Sequence, residues 1–231
     1  LRYAVYFTPA EDDPLTVAVN QWLGYNAFTG ENVPYPQTIA VQPGRMSAIT
    51  AAPARYGFHA TLKAPFRLAE NFTSSALVAA FDVFCRQQQA FDLPEIQIGQ
   101  LGSFFALVPA QPSEKLQSFA AHAVEYFEPM RAPLTEEEIA RRKPEALTEV
   151  QRDHLMQWGY PYVFDEFRFH MTLTGSVQGT DRLAIQKELE AYFAPFAGKP
   201  LTISGLGLFV EEDRGAPFTI HRWQPLSGGA D

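Results

Sequence analysis

Residues 3–8 (Tyr-Ala-Val-Tyr-Phe-Thr) form a short apolar run that reads as an opening strand, and Leu15 to Leu23 reads as a short helix behind Pro14, a residue suited to a first helical turn. From Gly24 to Arg55 the chain is rich in Gly, Pro and Asn with little periodicity, which predicts loop, with a short apolar segment near Ile39 to Val41. A strand follows and ends at Pro65 or just beyond. Ser74 to Gln89 carries Leu77, Ala80, Phe81 and Phe84 on one side, the spacing of a helix. Strands are predicted over Glu95 to Leu101 and Phe104 to Val108, joined by a Gly-Ser turn, and Ser113 is a good N-cap for a helix reaching about Phe127.

Residues 129–160 differ in character from both flanks. Thr135-Glu136-Glu137-Glu138 and Thr148-Glu149-Val150-Gln151 each match a capping box, which predicts two short helices split by Pro144. Beyond them a strand is expected from about Tyr162 to Thr174 and a helix from Asp181 to Phe193. Strands over Leu201 to Val210 and Pro217 to Gln224 then form a hairpin around Glu211 to Gly215. The order helix, strand, strand thus follows each of two similar strands, one before Pro65 and one before Gly175. This repetition predicts an α+β protein of two pseudo-symmetric lobes facing each other across a central cleft, a single bilobal domain over 1–231 with a helical insertion at about 129–160.

The two similar strands carry the candidate chemistry. Phe58-His59-Ala60-Thr61-Leu62 and Phe169-His170-Met171-Thr172-Leu173 are His-x-Thr units 111 residues apart, each framed by Phe and Leu. Alternate strand residues share a face, so His59 and Thr61 turn one way while Phe58, Ala60 and Leu62 turn the other, and the second copy repeats the pattern. Extending the phase outward adds Lys63 to the first polar face and Arg168 to the second. Such an array suits phosphoryl transfer without a metal: one imidazole takes a proton from the attacking oxygen and the other protonates the leaving oxygen. Hydroxyls and cations then meet the negative charge on the non-bridging oxygens. The expected site is therefore His59, His170, Thr61 and Thr172, with Lys63 and Arg168 binding phosphate; the sequence does not fix which histidine is acid.

The paired motifs resemble those of the two-histidine (2H) phosphoesterase superfamily. Arg55-Tyr56-Gly57-Phe58-His59-Ala60-Thr61-Leu62-Lys63-Ala64-Pro65-Phe66, Trp158-Gly159-Tyr160-Pro161-Tyr162-Val163 and Phe167-Arg168-Phe169-His170-Met171-Thr172-Leu173-Thr174-Gly175 resemble one branch, the phosphonate-metabolism proteins encoded beside carbon–phosphorus lyase genes. The resemblance implies an antiparallel sheet with outer helices in each lobe. It also implies a cyclic-phosphodiesterase activity, with a ribosyl cyclic phosphate as an attractive substrate. The alternatives are a nucleotide- or RNA-binding protein without turnover and 2′-5′ RNA ligase-like joining.

Charge bears on these alternatives. A net charge of −8 over 231 residues disfavours a protein that coats long nucleic acid, whereas a small phosphorylated substrate needs only a local cationic cluster. RNA is therefore the less favoured partner. No run approaches the length of a membrane span and no signal pattern opens the chain, so a cytoplasmic enzyme is expected. No cofactor or metal is expected, since the five histidines show no ligand spacing and there is no Cys-x-x-Cys. His122, His154 and His221 read as structural, Cys85 as a buried inert thiol, and Arg131, Arg141 and Arg142 as solvated helix faces rather than a lid.

Overall fold

The computed structural model describes residues 1–37, 43–179 and 181–228; the apolar segment expected near Ile39 to Val41 lies outside them. The chain enters as β1 (Arg2–Phe7) and continues into α1 (Pro14–Leu23). Asp13 caps this helix by accepting from the Leu15 N–H, and Pro14 sits where a missing N–H costs nothing. A small hairpin of β2 (Tyr25–Asn26) and β3 (Glu31–Asn32) follows.

The segment expected as loop up to Arg55 contains a helix, α2 (Pro43–Ala54). Met46, Ile49, Thr50 and Pro53 fall on one helical stripe, and Met46 and Thr50 are fully buried. Because the rest of α2 is Arg45 with Ala, Ser, Gly and Pro, that stripe is too narrow to stand out in the sequence.

The first motif leads into β4 (Ala60–Phe66), followed by α3 (Ser74–Gln87), β5 (Phe91–Leu101), β6 (Phe104–Pro109) and α4 (Glu114–Phe127). Both expected capping boxes form, opening α5 (Glu136–Arg141) and α6 (Glu149–Trp158), with a single turn of 3-10 helix at Pro144–Ala146 between them. The strand expected from Tyr162 to Thr174 shrinks to β7 (Met171–Thr172). A 3-10 turn at Phe164–Glu166, with Phe164 at φ 52°, diverts the chain before it can pair. After α7 (Asp181–Tyr192), the expected strand Leu201 to Val210 is two: β8 (Lys199–Ile203) and β9 (Gly205–Glu211). They part at Ser204 and pair in different sheets, a break that a continuous apolar run does not betray. β10 (Thr219–Pro225) closes the hairpin with β9.

Two four-stranded antiparallel sheets result, in the orders β10-β9-β1-β4 and β7-β6-β5-β8. Each motif strand is therefore an edge, β4 in one sheet and β7 in the other. One continuous apolar core contains side chains of both sheets, among them Phe7, Phe66, Phe105, Leu107 and Ile203. Phe7 meets Phe169 at 5.8 Å between ring centres, so the lobes are packed directly behind the two motifs. α3 lies against β9 and β10, and α4 against β4. Among the described residues no helix is long and apolar enough to cross a membrane.

Candidate active site

Each histidine stands one residue before its strand, and the backbone orients both rings in the same way. The Nδ1 of His59 lies 2.9 Å from the Gly57 carbonyl, and the Nδ1 of His170 lies 2.7 Å from the Arg168 carbonyl. A carbonyl only accepts, so each Nδ1 carries a hydrogen, and each Nε2 has no protein partner among the described residues. Gly57 makes the first of these clamps possible. It sits at φ 73°, and a Cβ there would stand 2.5 Å from the Ala27 Cβ, so no other residue fits the turn without displacement.

The second motif is held by its neighbours. The Leu173 carbonyl accepts from the Trp22 indole at 2.9 Å, and the buried Thr174 hydroxyl accepts from the Phe105 N–H at 3.0 Å. Gly175 N–H reaches the Ile49 carbonyl of α2 at 2.6 Å. Thr174, two residues beyond Thr172 in the strand phase, is thus a structural anchor, and α2 is a wall of the site.

A cleft of about 350 Å³ is lined by His59, Thr61, His170 and Thr172 together, with Ala52 and Pro53 from α2 and Tyr6, Tyr56, Phe104 and Ser176 around them. Neither Thr61 nor Thr172 spends its hydroxyl on a protein partner among the described residues, which leaves both for a ligand. His122, His154 and His221 do not line this cleft. Cys85 is buried against α4, and burial pushes its thiol up to about 12.

The two histidines are not equivalent. His59 stacks on Tyr6 with ring centres 4.0 Å apart, whereas among the described residues His170 has only Phe104, at 5.8 Å, as a ring contact. The ladder explains the difference: Tyr6 is the cross-strand partner of Thr61, and Ala106 is the partner of Thr172. Burial lowers the His59 pKa to about 4; the Gly57 carbonyl opposes this and the charge of His170 adds to it. At neutral pH His59 is therefore uncharged. Tyr6, fully buried, has its phenol held well above the ordinary range, chiefly by burial, and stays neutral.

Lys63 does not reach the cleft. Val5 pairs with Lys63 and Tyr6 with Thr61, so one step on β1 is matched by two on β4. This β-bulge reverses the side-chain phase after Thr61 and turns Lys63 to the opposite side of the sheet. There its ammonium, 3% exposed, donates to the Val124 carbonyl at 3.1 Å and pairs with Glu128. Arg168 is exposed and lines an adjoining cavity that shares Thr61, Phe104, Tyr160 and His170 with the cleft. It stands at the rim rather than inside.

Two arginines line the cleft instead: Arg2, which is paired with the buried Glu211, and Arg142, which the sequence pattern assigned to a solvated helix face. The Arg142 guanidinium lies 5.1 Å from the centre of the Tyr160 ring, and both residues come from the 129–160 segment. Burial raises the Tyr160 pKa, against the charge of Arg142. Arg131, by contrast, is committed to Glu128 at 2.6 Å and to the Gln157 carbonyl at 3.1 Å. The sequence signal for Arg142 was the placement of an insertion between two motif halves, and Tyr160 stood besides in a segment that carries the family resemblance. Among the described residues no group of three or more His, Cys, Asp or Glu side chains is gathered as a metal ion would require.

A family model described as "Protein of unknown function (DUF1045)" matches residues 61–219. The chain is 41% identical over 231 residues to a protein named ribose 1,5-bisphosphate phosphokinase PhnN from Janthinobacterium sp. (strain Marseille), covering 98% of this chain and 51% of that protein. A protein of the same name from Laribacter hongkongensis (strain HLHK9) is 32% identical over 231 residues, covering 99% of this chain and 53% of that one. The chain spans about half the length of the curated relatives it matches. The crystal structure of TT0787 of Thermus thermophilus aligns with a TM-score of 0.47 at 14% identity, covering 99% of each chain.

Proposed function

The chain belongs to the DUF1045 family, and from the paired-histidine cleft that it carries we propose that it is a metal-independent phosphoesterase that opens a small cyclic phosphodiester. The observation that supports this is the convergence of both His-x-Thr units on one cleft, with each imidazole clamped through Nδ1 and presenting Nε2. His59 is the general base: its Nε2 takes a proton from water as the water oxygen bonds to phosphorus. The bond from phosphorus to one ring oxygen breaks, and His170, entering as imidazolium, gives that oxygen its proton. A phosphomonoester and a free hydroxyl result. Thr61, Thr172 and Arg142 hold the non-bridging oxygens, where donors fixed in advance stabilise growing negative charge.

The curated relatives are named for a kinase of a ribose bisphosphate. This chain has no Gly-x-x-x-x-Gly-Lys-Ser/Thr loop, the element that cradles the phosphates of a nucleoside triphosphate in many kinases, so that activity is not carried over to it. A ribose cyclic phosphate of phosphonate catabolism remains the substrate that the resemblance favours. The test is a panel of ribose and nucleoside cyclic phosphates assayed with a chelator present. Turnover that needs both histidines is expected. Binding without turnover would move the protein to the nucleotide-binding alternative, and rescue by zinc or manganese after loss in chelator would make it a metallohydrolase.

A further inference from the structure

Next to the histidine cleft, and sharing Arg2, Tyr56, Pro65 and Arg142 with it, lies a second cavity of about 550 Å³. Among the described residues, Arg2, Arg55, Arg141, Arg142 and Arg214 line it, against a single lining carboxylate, Glu138. These five residues come from β1, the turn after α2, the end of α5 and the β9–β10 turn, so four distant segments of a chain with net charge −8 bring guanidinium groups to one place.

Like charges so gathered repel, and a fold keeps them only with carboxylates behind them or an anion among them. The carboxylates present fall short. Glu211, fully buried, pairs with Arg55 and takes the Arg2 Nε at 2.6 Å. Glu137 pairs with Arg141. Glu138 takes Arg67 at 3.2 Å and Arg214 at 3.5 Å; despite burial, the hydrogen bonds from Arg67 and Thr135 and the two guanidinium charges hold its carboxyl at about 2. Counting Arg67, six cations face three carboxylates. Glu212 and Asp213 are exposed and do not line the cavity. Arg142, with no ion pair among the described residues, stands where the two cavities meet.

We propose that the arginine-lined cavity binds a second phosphate of the substrate, so that the protein acts on cyclic phosphodiesters that also carry a phosphomonoester. This rests on the phosphoesterase reading of the neighbouring cleft. The cyclic ester lies between the histidines, the phosphomonoester dianion lies among the arginines, and Arg142 spans the two.

The experiment compares a nucleoside 2′,3′-cyclic phosphate with its 5′-phosphorylated form, using the wild type and the Arg141→Gln/Arg214→Gln double variant, whose side chains are partly exposed and whose loss spares the fold. The 5′-phosphorylated ester is expected to have the higher kcat/KM, and the double variant to lose roughly tenfold or more on that ester alone, since each charge-assisted hydrogen bond is worth about one decade of affinity. Equal kcat/KM for the two esters, or an equal loss on both, would overturn the proposal. Calorimetry with ribose 5-phosphate separates the two readings. If neither ester turns over but ribose 5-phosphate binds the wild type and not the double variant, the anion subsite stands and the phosphoesterase reading falls; no binding to the wild type removes the subsite.

Discussion

Replacing His59 by Gln tests the half-buried imidazole directly, without any assumption about substrate. An ordinary histidine titrates at 6.5, and His59 is held at about 4 by burial. As pH falls below 6.5 the unfolded chain binds a proton there that the folded chain refuses until about pH 4, so the stability is present above 6.5 and is lost progressively on the way down. A gap of about 2.5 pH units corresponds to a loss of about 3 kcal/mol by pH 4, about 2 at pH 5 and about 0.8 at pH 6. Gln fills a similar volume and still offers an N–H to the Gly57 carbonyl, but it does not titrate. Urea melts of the two proteins between pH 4 and 7 yield a difference curve in which the carboxylates common to both cancel. That curve should fall by about 3 kcal/mol for the wild type relative to the variant. A difference independent of pH would refute both the low pKa and the assignment of His59 as base.

His170→Ala should abolish turnover of a cyclic phosphodiester with the melting temperature little changed, while Thr61→Val or Thr172→Val should slow it by roughly ten- to a hundredfold, one hydrogen bond to the transition state. Steady-state kinetics on a cyclic phosphodiester should place the acid limb of kcat/KM near pH 4, the value for His59 in the free protein. The kcat limb should lie higher, because a bound phosphate favours the imidazolium. Lys63→Met should cost about 1–3 kcal/mol in denaturant melts through its pairing with Glu128, yet leave kcat/KM within about twofold; a selective loss of rate would put Lys63 back in the site. Gly57→Ala should lower both stability, by about 1–3 kcal/mol, and turnover, since the turn that carries the Nδ1 clamp would have to move.

The parts of this fold that a local pattern specifies were legible in the sequence. Pro14, the two capping boxes and the Ser113 cap each act within one turn of the chain, and each of these helices begins where they predict. The strand phase of the His-x-Thr units likewise brings His59 and Thr61, and His170 and Thr172, to one cleft. What failed depends on partners far along the chain. The bulge that turns Lys63 away is a mismatch between β4 and β1, more than fifty residues apart, and neither strand records it alone. The break at Ser204 exists because β8 and β9 have different sheets to join. Arg142 looks like any helix-end arginine until α5 is placed over the cleft beside Tyr160. Counting charges could show that cations were scarce, but not that five of them meet at one cavity.

The repeat also poses a chemical problem that its own sequence cannot solve. Acid–base catalysis by two histidines requires one to start neutral and the other protonated, yet the two pentapeptides place their imidazoles alike and clamp each Nδ1 on the carbonyl two residues back. A bound phosphate favours protonation of both rings and so cannot tell them apart. The distinction has to come from residues outside the motifs. Across the ladder, Thr61 faces Tyr6 and Thr172 faces Ala106. A phenol ring stacked on His59 excludes the water that would solvate an imidazolium, and the residue opposite Thr172 carries only a methyl group. On the proposed mechanism, one large and one small residue on the strands beside the motifs therefore divide the roles of base and acid between two copies of the same pentapeptide.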